Sequence, residues 1–114
     1  MKRAILLIGL LLPFNTQAAQ MFDSGHDLYK NCSQYEKQLG TSGDFACMGF
    51  VTAVADVLSN NSVDGVRVCF PQNVNKQQVV LVVAKYLRDQ PEALHFSAVS
   101  LTVNALQKAF PCSK

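Results

Sequence analysis

Residues 69–112 read CFPQNVNKQQVVLVVAKYLRDQPEALHFSAVSLTVNALQKAFPC, and the fold class turns on whether this stretch is helix or strand. It opens with Cys69-Phe70-Pro71 and closes with Phe110-Pro111-Cys112. Between them lie two apolar-periodic segments, Val74–Asp89 and Ser97–Phe110, joined through Pro91. In the first, Val79, Val83, Tyr86 and Leu87 form one stripe, widened by Val80 and Val82. So many valines favour strand by propensity. The run does not alternate, however, and Asn75 followed by Gln78 is a capping-box pattern, with Asn73 an equally placed cap. Lys85, Arg88 and Asp89 close it in helical fashion, so the spacing predicts helix. In the second, Val99, Val103, Leu106 and Phe110 recur at i, i+4, i+7 and i+11, with Ala98, Leu101 and Ala105 alongside. Two such helices folded back near residues 90–96 carry Cys69 and Cys112 to the same end. A disulfide requires Cα atoms roughly 4.4–6.8 Å apart, and this layout supplies that. The stretch reads as a helical hairpin clasped at its open end.

Upstream, the same arrangement recurs on a smaller scale. Ser24 caps a helix with Asp27 three residues on, an acid near the positive end. Leu28, Cys32, Tyr35 and Leu39 make its apolar face, and Gly40-Thr41-Ser42-Gly43 stops it. Asp44 is placed to cap a second helix with Cys47, Val51, Val54, Ala55 and Leu58 inward. Gly49 and Ala53 lie on a neighbouring face, where another helix could approach closely. Ser59–Gly65 is the most loop-like run, rich in residues that favour turns, and Val66-Arg67-Val68 reads as a short extended piece. The expected architecture is all-α, a compact bundle of four main helices built as two disulfide-clasped hairpins.

The first residues are expected to be a leader. Met1-Lys2-Arg3 is basic, Ala4–Leu12 is unbroken apolar, and Pro13, Asn15, Thr16, Gln17, Ala18 and Ala19 follow. That order is the signature of a secretory signal peptide, with cleavage expected after Ala18, although Ala19 also fits. The apolar run is shorter than the roughly 20 residues a bilayer span needs. Removing residues 1–18 from the 114 leaves one domain, residues 19–114, with eight basic and eight acidic side chains. A net charge near zero argues against nucleic acid, whose phosphates call for a basic face, and against a polybasic membrane-surface binder. No stable membrane insertion is expected once the leader is gone.

Four cysteines, at 32, 47, 69 and 112, all lie in this domain. An even number in a small exported chain implies disulfides. Of three connectivities, Cys32–Cys47 with Cys69–Cys112 is preferred because each then clasps one hairpin. Catalytic patterns are scarce. With every cysteine paired no thiol nucleophile remains, the spacing lacks Cys-x-x-Cys, and no paired short spacing suggests zinc. His26 and His95 sit in no motif, and the carboxylates are scattered. The reading is of no enzyme, no metal and no cofactor. Phe45, Phe50, Tyr86, Phe96 and Phe110 are expected mostly in the core, with any exposed cluster marking a partner face.

In its ordered features the chain resembles the Rap/Tai-type immunity proteins of type VI secretion. The resembling features are the leader, then Phe22-x-Ser24-Gly25-x-x-Leu28 ahead of Cys32, and Cys47-Met48-Gly49-Phe50 opening a helix with Asp56. Cys69-Phe70-Pro71 follows, then Tyr86-Leu87 before Pro91-Glu92, and Ala105-Leu106 with Phe110-Pro111-Cys112. The resemblance implies an all-helical periplasmic antidote, usually homodimeric. Its implied partner is a peptidoglycan amidase effector of the papain-like cysteine peptidase class, inhibited by occlusion of its substrate cleft. On the residues themselves, a cleft is best plugged by a polar loop on a rigid scaffold, and Ser59–Gly65 is the candidate. Ser62 and Asp64 would hydrogen-bond the effector histidine, with Val63 and Gly65 between and beside them and Asn60, Asn61 and Arg67 at the rim. A reading from another class is a small acid-activated periplasmic chaperone. It is disfavoured because eight acidic residues give no obvious acid switch. A third, an accessory subunit of an envelope complex, rests on composition alone.

Overall fold

A computed structural model describes residues 22–113. The expected leader and its cleavage site lie outside the described residues. Four α-helices follow in order: α1 (Gly25–Glu36), α2 (Ser42–Asn60), α3 (Lys76–Asp89) and α4 (Ala98–Ala109), with a 3-10 turn at Pro91–Ala93. Among the described residues there is no strand, only two isolated bridges. The all-α bundle expected from the periodicity is the fold. Both disulfides join the expected partners, Cys32 to Cys47 and Cys69 to Cys112, each with a Cα separation of 4.9 Å.

Caps set the helix starts. Ser24 and Asp27 form a reciprocal capping box on α1, and the Ser24 amide donates to the Asp27 carboxylate at 2.9 Å. Asn75 rather than Asn73 caps α3, its side-chain oxygen accepting from the Gln78 amide at 2.8 Å. At the start of α2 the expectation is corrected. Thr41 is the cap, and Asp44 lies three residues inside, accepting from the Gly40 and Thr41 amides. The Gly40-Thr41-Ser42-Gly43 run is therefore not all breaker. Gly40 supplies the turn at φ +63°, a region open to glycine without steric cost, and the next helix starts directly behind it. Consequently α1 ends at Glu36, and Leu39, expected on its inner face, is exposed.

Asp27 provides a pH signature. The Ser24 backbone and side-chain hydrogen bonds hold its carboxyl below the usual value of 3.8. A depressed folded-state pKa contributes stability above the unfolded value and loses it as pH falls through the folded value. The thermal midpoint should accordingly be flat above 3.8 on this account and decline below it. Asp27→Asn should make that decline shallower in a pH series of melts; an unchanged slope would show that the cap does not contribute to it.

Helix α2 packs one face into the bundle. Cys47, Val51, Ala55 and Leu58 are buried on its inner face, as expected. By length and composition Ser42–Ser59 could also cross a membrane, and 33% of it is buried inside the bundle. Helix α3 contributes Val79, Val80, Val83, Ala84 and Leu87, while Tyr86 and Val82 are half-buried. Helix α4 departs from expectation. Val99 is 51% exposed and Val103 half-buried, whereas Ala98, Leu101, Thr102, Ala105 and Leu106 face inward. The helix is rolled so that the small Ala98 and Ala105 meet its neighbours. Thr102 can join them because its hydroxyl donates to the Ala98 carbonyl at 2.8 Å, leaving its methyl for the core. The aromatics are corrected too. Of the five expected mostly inside, only Phe110 is buried; Phe45 and Phe96 are exposed, and Phe50 and Tyr86 are half-buried. Valine, leucine and alanine fill the interior instead.

The start of α1 is docked onto the α3–α4 corner through its backbone. Gly25 and His26 amides donate to the Phe96 and Leu94 carbonyls at 2.8 and 2.9 Å, and the Ala98 amide donates to Asp23 at 3.0 Å. The donors left unpaired in the first turn of a helix are thus used to join the two halves of the bundle.

Candidate functional site

The expected binding loop is a tighter object than the sequence suggested. Helix α2 runs on through Ser59 and Asn60, so the connection begins at Asn61, which is extended at φ −139°. The Val63 amide donates to the Val66 carbonyl at 3.1 Å and the Val66 amide to the Val63 carbonyl at 2.8 Å. Between them Asp64 and Gly65 have φ of +51° and +77°. Two consecutive residues at positive φ inside a doubly bonded pair make the two-residue hairpin turn favoured by Asp-Gly. That dipeptide, flanked by Val63 and Val66, was the signal available in the sequence for a turn rather than a loose loop. It also brings in Val66, which closes the turn and was not among the expected site residues.

The turn is exposed and its base is fixed. Asn61, Ser62, Val63, Asp64, Gly65 and Arg67 are all exposed, while Leu58 before it and Val68 after it are buried at 4% and 3%. One residue past Val68, Cys69 is tied to Cys112, and its amide donates to the Phe110 carbonyl at 3.0 Å. The Phe70 and Phe110 rings meet at 5.0 Å. A short exposed hairpin is therefore held between the end of α2 and a covalent clasp.

Beside it lies an open cleft of about 560 Å³ lined by Leu58, Ser59, Asn61, Ser62, Arg67, Val68, Cys69 and Phe70. Of the expected residues, Asn61, Ser62 and Arg67 line this cleft, Asp64 and Gly65 form the tip with Val63 at its base, and Asn60 ends α2. Phe70 and Ser59 also border a second cleft of about 290 Å³ running along α2 to Val79. All four cysteines are disulfide-bonded, and among the described residues no group of three or more His, Cys, Asp or Glu could hold a metal ion.

Residues 24–112 match the model of the Rap1a immunity protein family. The chain belongs to that family. The match runs from the cap of α1 to the last cysteine, so both clasps and the projecting turn fall within it. No curated protein and no solved structure matches the chain. Membership makes this an immunity protein, whose business is binding a secreted effector. The two closed disulfides agree with an oxidising compartment.

Proposed function

We propose that this protein acts in the periplasm, binding and occluding the active-site cleft of a peptidoglycan amidase effector delivered by type VI secretion. The effector is of the papain-like cysteine peptidase class, and the turn at residues 61–67 is the part that enters its cleft. The observation carrying this reading is the doubly bonded Val63–Val66 turn, exposed at its tip and anchored at both ends. A preformed hairpin loses little freedom on docking, and ordering costs are what usually erode affinity. Ser62 and Asp64 are the side chains to hydrogen-bond the effector histidine; the Asp64 contact is charge-assisted when the imidazole is protonated. Val63, 42% exposed, supplies apolar contact at the same point. Asn60, Asn61 and Arg67 form the rim. The protein is further proposed to work as a homodimer, which sedimentation analysis of the purified chain would settle.

Replacing Ser62→Ala, Val63→Ala and Asp64→Asn together tests the assignment. Asparagine tolerates the left-handed backbone of position 64, so the turn should persist. Effector affinity should fall by roughly 100-fold, in the range of an interface hot spot, and co-expression should no longer rescue cells from periplasmic amidase. The thermal midpoint should stay within about 2 °C of the parent, because exposed substitutions change stability little. Undiminished binding would place the interface on the helix faces instead.

A further inference from the structure

The two disulfides are chemically unequal, and we propose that Cys69–Cys112 is a thiol-exchange site, opened selectively and reversibly by a dithiol reductant while Cys32–Cys47 stays closed. Exchange requires a thiolate to reach a sulfur of the bond. Cys32 and Cys47 are both 0% exposed, sealed between α1 and α2. Cys69 is exposed, Cys112 is half-buried, and Cys69 lines the open cleft beside the turn. A reagent therefore has a path to one bond, whereas the other is reached only when α1 and α2 separate.

The reaction balances with the dithiol alone. Its first thiolate attacks the Cys69 sulfur, forming a mixed disulfide as the Cys69–Cys112 bond breaks. The electron pair leaves on the Cys112 sulfur, which takes up a proton. The second thiol of the reagent then attacks the mixed disulfide, releasing Cys69 as a thiol. The reagent ends as its own disulfide, having given two electrons and two protons.

Opening does not scatter the parts. The Cys69 amide stays bonded to the Phe110 carbonyl, the Phe70 and Phe110 rings remain in contact, and Val68 and Phe110 remain in the core. The two sulfurs are thus held near each other and the bond re-forms on oxidation. What is lost is the covalent tether one residue beyond Val68, at the base of the projecting turn. Reduction loosens the turn without unfolding the bundle. Resting on the assignment of that turn as the effector-binding element, reduction also weakens immunity.

Graded dithiothreitol treatment of the oxidised protein, followed by alkylation and peptide mass spectrometry, tests the site directly. Carbamidomethyl groups should appear on Cys69 and Cys112 at least roughly 100-fold faster than on Cys32 and Cys47, since the buried pair must await an opening event. Hydrogen exchange at residues 61–68 should quicken in the selectively reduced protein, and likewise in the double variant Cys69→Ser/Cys112→Ser, with helical circular dichroism retained. Labelling of all four cysteines in step, or of Cys32 and Cys47 first, overturns the proposal. So does unchanged exchange across the turn. Selective opening and a faster-exchanging turn with undiminished amidase binding would uphold the exchange site and remove the turn from the effector interface.

Discussion

The double variant Cys32→Ala/Cys47→Ala should lose more stability than the variant lacking the other disulfide, although it opens the shorter loop. Loop-closure entropy alone predicts the reverse. The sequence separations are 15 and 43 residues, and closure of the longer loop is favoured by about 1 kcal/mol. Packing decides otherwise. Cys32 and Cys47 are completely buried, between Leu28 on α1 and Val51 on α2, so two alanines leave a void in a region with little room to relax. The closure contributes about 3 kcal/mol, and voids left by buried sulfur add to that at a rate of roughly 24 cal/mol per Å³. At the surface, by contrast, water fills the space left by Cys69 and Cys112, and the hydrogen bond and ring contact there persist. A domain of this size has on the order of 5–15 kcal/mol in total, so the buried pair carries a large share. Melts should show the midpoint falling by about 15–25 °C for the buried pair, and by less for the exposed one. A larger loss at Cys69–Cys112 would mean that chain entropy outweighs packing here.

Much of this was legible from spacing. The α3–α4 hairpin follows from stripes in two segments and a proline between them, and the disulfide pairing follows from where that hairpin puts its ends. The Ser24 cap was legible and Asn75 was one of two offered positions, whereas at α2 the cap Thr41 was hidden behind Asp44, whose carboxylate reaches back to the Gly40 and Thr41 amides. What the sequence hid has a common physical cause: choices settled by neighbours rather than by the local chain. In α4 the apolar residues cover more than one face, so periodicity alone leaves the roll undetermined. Small side chains and the self-satisfied hydroxyl of Thr102 decide it. Phe45 has the hydropathy of a core residue, yet it follows Asp44 in the first turn of α2 and is 65% exposed. At the candidate site the sequence reading offered a loose loop where the structure has a tight turn, because Asp64 and Gly65 were read as loop composition rather than as a paired turn signal.

With Phe45 and Phe96 exposed, the interior of this bundle is mostly valine, leucine and alanine, closely packed. Such a core tolerates little added volume where helices approach most nearly. Ridge-to-groove packing brings helix axes to within about 8–10 Å depending on the side chains between them, and glycine permits the tightest approach. The point where α1 enters the bundle is of this kind, and it holds the amide contacts that join the two hairpins.

Gly25→Ala should therefore be among the most damaging single substitutions in the chain. A Cβ at this position would stand 2.3 Å from a Leu101 methyl and, more seriously, 2.7 Å from the Leu94 carbonyl oxygen and 2.9 Å from the Leu94 Cα. Leu101 could rotate away at some cost, but the Leu94 backbone is fixed by the 3-10 turn at Pro91–Ala93 and by the His26 amide it receives. Relief then requires α1 to withdraw, and withdrawal stretches the bonds from Gly25 to Phe96 and from His26 to Leu94 together. Overpacking of a closed site costs about 1–3 kcal/mol, and each backbone hydrogen bond weakened adds about 1 kcal/mol. The intrinsic preference of alanine over glycine in a helix, about 1 kcal/mol, acts in the opposite direction and is too small to compensate. The net loss is about 3 kcal/mol, a drop in midpoint of roughly 12–24 °C. Gly49→Ala is the matched control: nothing lies within 4 Å of its added Cβ, so the same change in α2 should be neutral or slightly stabilising. Equal midpoints for the two variants would show that α1 can shift freely on the α3–α4 corner, and the rigid junction between the hairpins would have to be abandoned.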